Sequence, residues 1–186
     1  MAKRILNQSI EALLNSQVIL YPTDTVWGLG CDATSIDAVA KIFKLKNRVE
    51  SKSLVVLVSS IKMLCSYVHK VPQKAIDIIT TTKKPTTIIY NNPKGLAANA
   101  IASDNTIAIR IPSHDYCLEL INKFGKPIIS TSANISGEST PKSFSEISQP
   151  ILEGVDYIVN LERDKITDKS STILKIVGND IEVIRA

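Results

Sequence analysis

Apolar residues recur at two spacings along this 186-residue chain, and each change of spacing marks a new element. Leu6, Ile10, Leu13 and Leu14 fall at helical intervals and predict an amphipathic helix over residues near 4–16. Val18-Ile19-Leu20-Tyr21 then reads as a strand, stopped by Pro22. Ser35 is placed to cap a helix whose apolar face is Ile36, Val39, Ala40 and Phe43. Leu54-Val55-Val56-Leu57-Val58 is wholly apolar and predicts an interior strand. Helical spacing returns in Ile61, Leu64 and Val68, and in Ala75, Ile76 and Ile79 after Pro72 at a helix start. Residues 86–90 and 106–111 read as strands, the second alternating cleanly. Cys117, Leu120, Ile121 and Phe124 mark another helix, and Ser143 and Glu146 have capping-box spacing for a short one. Residues 157–159 predict a strand, and residues 172–177 and 181–185 flank Gly178-Asn179-Asp180, a strong hairpin signal. Helices and strands intermix with no linker, repeat or low-complexity tract. The pattern predicts a single α/β domain over residues 1–186, built on a mixed β-sheet.

Composition narrows the function classes. Hydrophobic residues are 44% and charged residues 22%, which argues for a packed core rather than disorder. No apolar run approaches the ~20 residues of a membrane span, and no long apolar segment follows the basic start, so the expected location is cytoplasmic, with no membrane partner. Cys31, Cys65 and Cys117 are isolated, and His69 and His114 are the only histidines, so neither a metal site nor a disulfide framework is expected. The net charge of +4 is mild, but its distribution is uneven. Lys41, Lys44, Lys46, Arg48 and Lys52 crowd one segment, and Lys83-Lys84 form a second group. Such clustering suits a nucleotide, phosphate or RNA, although a solvated helix face is the better account of Lys41 and Lys44.

The usual catalytic signatures are missing: no phosphate-binding Gly-x-x-x-x-Gly-Lys loop, no Gly-x-Gly-x-x-Gly and no Gly-x-Ser-x-Gly elbow. What remains are polar clusters at strand boundaries, where α/β sheets tend to collect ligands. The richest is Ser130-Thr131-Ser132-Ala133-Asn134-Ile135-Ser136-Gly137, whose hydroxyls, amide and backbone N–H groups can surround an anion. The others are Tyr21–Gly30, Lys46-Asn47-Arg48, Arg110 before Pro112, and Ser170-Ser171-Thr172. Each has an ordinary reading: Asp24 in a local turn, Trp27 as a core anchor, Arg110 on a structural carboxylate, the serines in a self-satisfied loop. Their joint occurrence gives cations and hydroxyls with few acids or bases, an inventory for charge stabilisation during transfer at a phosphate.

These clusters, in this order, resemble the YrdC/Sua5 family of threonylcarbamoyl-AMP synthases. The matching segments are Tyr-Pro-Thr-Asp-Thr-Val-Trp-Gly-Leu-Gly at 21–30, Lys-Asn-Arg at 46–48, Ile-Arg-Ile-Pro at 109–112, Ser-Thr-Ser-Ala-Asn-Ile-Ser-Gly at 130–137 and Ser-Ser-Thr-Ile-Leu at 170–174. The resemblance implies a YrdC-like twisted mixed sheet, flanked by helices, with a concave basic active-site face. It implies a reaction in which L-threonine, bicarbonate and ATP give L-threonylcarbamoyl-AMP and pyrophosphate, the product passing to a separate transferase for adenosine 37 of tRNA. The family's polar tetrad falls on Lys46, Arg48, Ser132 and Asn134, which would serve catalysis and ATP binding, with Thr140 and Arg185 also at the nucleotide. Thr25, Lys52, Arg110, Ser130 and Ser171 would frame threonine, Arg110 taking its carboxylate. Lys46 and Arg48 are expected to be exposed to the site rather than to support the core. Mg²⁺ would enter on the ATP, with no dedicated protein cage.

Val49 and Ser53 stand where the family usually has proline, and Lys83-Lys84-Pro85-Thr86-Thr87 replaces a Pro-Gly-Pro-x-Thr turn. The longer members' C-terminal Sua5 domain is expected to be absent. A different class of function also fits a basic concave face: a non-catalytic module binding double-stranded RNA or tRNA, recognised by shape and needing no threonine pocket. A third is the related domain of hydrogenase maturation proteins, which belongs to chains with acylphosphatase-like and zinc-finger portions.

Overall fold

The computed structural model describes residues 2–48, 54–178 and 180–186. The helices are α1 (Ala2–Leu14), α2 (Ile36–Leu45), α3 (Ile61–Tyr67), α4 (Gln73–Thr81), α5 (Asp115–Phe124) and α6 (Gln149–Gly154). The strands are β1 (Ile19–Tyr21), β2 (Gly28–Gly30), β3 (Val55–Leu57), β4 (Thr86–Asn91), β5 (Thr106–Arg110), β6 (Ile128–Ser132), β7 (Tyr157–Ile158), β8 (Thr172–Val177) and β9 (Asp180–Arg185). Among the described residues these strands form one sheet in the order β7-β1-β2-β6-β3-β5-β4-β8-β9. It is mixed: β1/β7, β3/β5 and β4/β8 run parallel, and the remaining neighbours antiparallel.

Several local expectations hold with small shifts. The side chain of Ser35 caps α2 by accepting from Ala38 N, and Ser60 does the same for α3 through Met63 N. Pro72 is the N-cap of α4 rather than its first helical residue. The capping box at Ser143 does not form: Phe144–Glu146 is a single 3₁₀ turn, and the Glu146 carboxylate accepts from Lys142 N at 2.8 Å. Two elements escaped the periodicity, β2 and α6. Gly-Leu-Gly carries almost no strand signal, yet close approach requires Gly30 and crowds Gly28. A Cβ on Gly30 would stand 2.6 Å from the Tyr21 ring, and one on Gly28 would stand 3.3 Å from Ser130 Oγ. The 172–185 hairpin is present, with Asn179 outside the described residues.

Alternation along the strands sorts their side chains between two apolar clusters. Val56, Ile88, Ile109 and Ile129 join the larger one, with α2, the 3₁₀ turn at Ala98–Ala100 and α6. Ile19, Tyr21, Leu57 and Ile128 face the other way, under α1 and α5. Ser9 on α1 ties these two helices together, its Oγ lying 2.6 Å from the Tyr116 hydroxyl. The pairings Leu57↔Ile128 and Val55↔Ser130 put all four residues on this second face of the sheet. Leu57 and Ile128 are covered by the helices, whereas Val55 and Ser130, two residues along their strands, line an open cavity. The sheet carries its site on the part of that face that the two helices leave uncovered.

Candidate active site

The cavity holds about 410 Å³, within the ordinary range for small-molecule sites. Its floor is Val55, Ala108, Ile89 and Gly28; around them stand the hydroxyls of Thr23, Thr25, Ser130, Ser132, Thr140 and Ser171 and the guanidinium groups of Arg48, Arg110 and Arg185. Asp168 is the carboxylate among its lining residues, so the wall is strongly cationic.

Lys-Asn-Arg forms the end of α2. Asn47 sits in the left-handed region at φ 48°. Its N–H reaches Lys44 O at 3.1 Å, and the Arg48 N–H reaches Phe43 O at 3.0 Å, the paired bonds of a Schellman terminus. The sharp reversal separates its two cations. Arg48 lines the cavity, whereas Lys46 is only 2% exposed. The Lys46 ammonium donates to the backbone oxygens of Ser132 and, at 2.6 Å, Asn134, while Ser136 N donates to Lys46 O at 2.8 Å. The expectation that Lys46 is exposed to the site is therefore corrected: it reaches into the core side of the 132–136 loop and holds it. A lysine is long enough to cross from the helix terminus to that loop, where the buried Asn134 carbonyl needs a donor. Burial, and then the nearby Arg48 charge, lower its pKa to about 8; burial also lowers that of Arg48.

Asn134 is likewise turned inward. Its amide donates to Ile135 O at 2.9 Å and Glu138 O at 2.8 Å, leaving Oδ1 buried without a hydrogen-bond partner among the described residues. Lys46, Ser132 and Asn134 are thus directly connected, and Ser132 and Arg48 both line the cavity.

Arg110 ends β5 and is 5% exposed. Its Nη1 donates to Asp24 Oδ1 at 2.9 Å, and Nη2 approaches Thr25 Oγ1 at 3.4 Å. The hydroxyl bonds beside it have a fixed direction. Thr23 donates its one hydroxyl proton to Val26 O at 2.7 Å, so Thr25 must be the donor in the 3.0 Å contact between the two threonines. Thr25 is then left accepting from Arg110. Also in the cavity lining, Thr87 Oγ1 donates to Ser171 Oγ at 2.9 Å, and Arg185 Nη2 donates to Ser171 O at 2.8 Å.

Of the residues singled out in the sequence, Thr25, Arg48, Arg110, Ser130, Ser132, Thr140, Ser171 and Arg185 line this cavity. Lys46 and Asn134 lie behind it, and Lys52 lies outside the described residues, as do Val49 and Ser53. Thr87, Asp168 and Lys169 line the cavity without having been singled out as site residues. Asp168-Lys169 directly precede the Ser170-Ser171-Thr172 cluster, which was the available signal. The signal for Thr87 lay in the Lys83-Lys84-Pro85-Thr86-Thr87 segment, where its threonine matches the last position of the family's Pro-Gly-Pro-x-Thr turn. Trp27 is a core anchor as expected, its ring 5.1 Å from that of Phe144, and it also reaches the cavity wall.

A model of the Sua5/YciO/YrdC family, described as telomere recombination, matches residues 11–186. The chain belongs to this family. Among its curated relatives, a threonylcarbamoyl-AMP synthase of Pseudoalteromonas translucida is 35% identical over 159 residues, covering 82% of this chain and 83% of the relative. The synthase of Vibrio parahaemolyticus is 32% identical over 178 residues, covering 90% and 96%. Two solved structures show the shared Sua5/YciO/YrdC fold. P. abyssi Sua5 complexed with L-threonine superposes with a TM-score of 0.90 at 24% identity; the match covers 100% of this chain, which spans 54% of that one. E. coli YciO superposes with a TM-score of 0.85 at 24% identity, covering 98% and 88%. Among the described residues, no helix is long and apolar enough to cross a membrane.

Proposed function

We propose that this chain condenses L-threonine, bicarbonate and ATP into L-threonylcarbamoyl-AMP, with release of pyrophosphate. The product would pass to a transferase that modifies adenosine 37 of tRNA, in the cytoplasm. The observation that carries the reading is the cavity itself. Three guanidinium groups and a ring of hydroxyls surround it, in a chain 35% identical to a synthase of that name.

The chemistry has two steps. The threonine amine forms a C–N bond to the bicarbonate carbon, and water leaves, giving an N-carboxylate. Its oxygen then forms a bond to the α-phosphorus of ATP, and the bond to the pyrophosphate oxygen breaks, the electron pair leaving with pyrophosphate. No step calls for a strong general base in the protein once the amine is neutral. The reactants are all anionic or carry a carboxylate, so bringing them together is the main obstacle. Arg48 and Arg185 fit the phosphates and the charge that develops on them, and Arg110 fits the threonine carboxylate. Ser132 and Thr140 supply hydroxyls on the nucleotide side, and Thr25, Ser130 and Ser171 on the threonine side. Lys46 and Asn134 act from behind, by fixing the loop that presents Ser132. Lys52 remains the proposed additional cation of the threonine pocket. Mg²⁺ would arrive with ATP and neutralise its phosphates. The cavity's donors, threonine and serine hydroxyls with the Asp168 carboxylate, are hard oxygens of the kind it accepts.

The test is direct. The chain is incubated with ATP, Mg²⁺, bicarbonate and labelled L-threonine, and the labelled adenylate is sought. Its formation supports the synthase, and its absence under conditions where the chain remains folded contradicts it. Direct tRNA binding without adenylate formation would instead support the RNA-binding alternative.

A further inference from the structure

Asp24 is not part of the cavity lining, yet it is bonded to a residue that gives the cavity a deeply buried positive charge. Its side chain is 7% exposed and that of Arg110 is 5% exposed, so the pair is shielded from water. Asp24 Oδ1 accepts from Arg110 Nη1 at 2.9 Å, and Oδ2 accepts from the backbone N–H of Ser113 at 3.0 Å. One carboxylate thus joins the loop after β1 to the end of β5 and to the approach to α5. The Arg110 guanidinium is held tightly at one corner, through Nη1. Nη2 has its long 3.4 Å contact with Thr25 Oγ1, and Nε has no hydrogen-bond partner among the described residues.

We infer that Asp24 is a positioning residue, setting the plane of the Arg110 guanidinium so that its uncommitted nitrogens meet the carboxylate of the amino-acid substrate. Two-point recognition of a carboxylate requires the two groups to share a plane, and arginine has several rotatable bonds through which to lose it. Fixing Nη1 removes that freedom before the ligand arrives. The same pairing keeps Arg110 from being an uncompensated buried charge before a substrate binds. Ser113 N–H anchors Asp24 in turn, so the carboxylate cannot swing away with the arginine. The inference rests on the reading of this cavity as a threonine site.

Calorimetry on the full chain tests it, with L-threonine and ATP titrated separately. Asp24→Asn preserves size and removes the charge. It is expected to weaken L-threonine about 10-fold or more, the scale of a lost charge-assisted contact, and ATP less than about 2-fold. Asp24→Glu keeps a carboxylate and is expected to recover part of the loss. A merely structural role predicts that the longer side chain does worse than asparagine. Because Asp24 acts through Arg110, Asp24→Asn adds little further loss in an Arg110→Lys background. Equal weakening of both ligands, additive losses in the double variant, or no effect of Asp24→Asn would each overturn the proposal. If the unaltered chain binds no L-threonine, the reading of the cavity fails first, and that outcome is distinct from the others.

Discussion

The Lys46 ammonium donates to the backbone oxygen of Asn134 at 2.6 Å, within a loop that crosses the end of α2. The bond unites two members of the polar tetrad that the family resemblance implies, through main chain rather than through a substrate. It also explains why the tetrad's lysine precedes a residue in the left-handed region. Asn47 turns the chain so that Lys46 and Arg48 point to opposite sides of the same loop, one as its anchor and one into the cavity.

Lys46→Ala should therefore destabilise the fold as well as lower activity. The buried Asn134 carbonyl loses its donor, while Ser132 O keeps the Asn134 N–H at 2.9 Å, so a loss of about 1–3 kcal/mol is expected. Urea unfolding measures it. A change below about 0.5 kcal/mol, the usual range for a surface substitution, would contradict the anchoring role.

The stability supplied by Lys46 should depend on pH in a definite direction. Its native pKa is lowered to about 8 from the ordinary 10.5. Between those values the unfolded chain holds a proton that the native chain has released, so stability rises with pH through that window and the charge penalty is present in full below it. A neutral amine still has two N–H donors, one for each carbonyl. Relative to Lys46→Met, the unaltered chain should gain stability from about pH 8 to 10.5 and show a constant difference below. A difference that shrinks as pH rises would contradict this.

Asn47→Gly should leave both fold and activity nearly intact, since glycine accepts positive φ freely. Asn47→Val should cost about 1–2 kcal/mol, the strain of a side chain ill suited to that region, and should reduce pyrophosphate release beyond what the stability loss explains. Equal behaviour of the two variants would show that the turn does not place Arg48.

Much of this was legible in the sequence, for identifiable reasons. Leu6, Ile10 and Leu13 mark α1 because one face of that helix is buried, and Thr106–Arg110 alternates because its two faces meet different surroundings. The Gly178 turn needs only local information. What failed was set by distant contacts. Gly28-Leu29-Gly30 becomes a strand by pairing with β1 and β6, and the Tyr21 ring leaves no room for a side chain at Gly30. The site residues appeared as clusters at strand ends, but which of them face the cavity did not. Lys46 and Arg48 are two positions apart and alike in charge, and only the Schellman turn separates their roles. Asp24 read as an ordinary turn residue because its partner lies 86 positions away. Thr87 stood in the 83–87 segment as part of a departure from a family turn, and its place beside the site shows only in its bond to Ser171.

The central claim is that this cavity joins threonine, bicarbonate and ATP without help from RNA. Pyrophosphate release from ATP, followed as each reactant is omitted in turn, tests it most directly. Release should require L-threonine and bicarbonate together and proceed with no tRNA present. L-serine should substitute in part, because a missing methyl costs only about 1–3 kcal/mol in discrimination. Release that is indifferent to threonine, or that appears only when tRNA is added, would contradict the account.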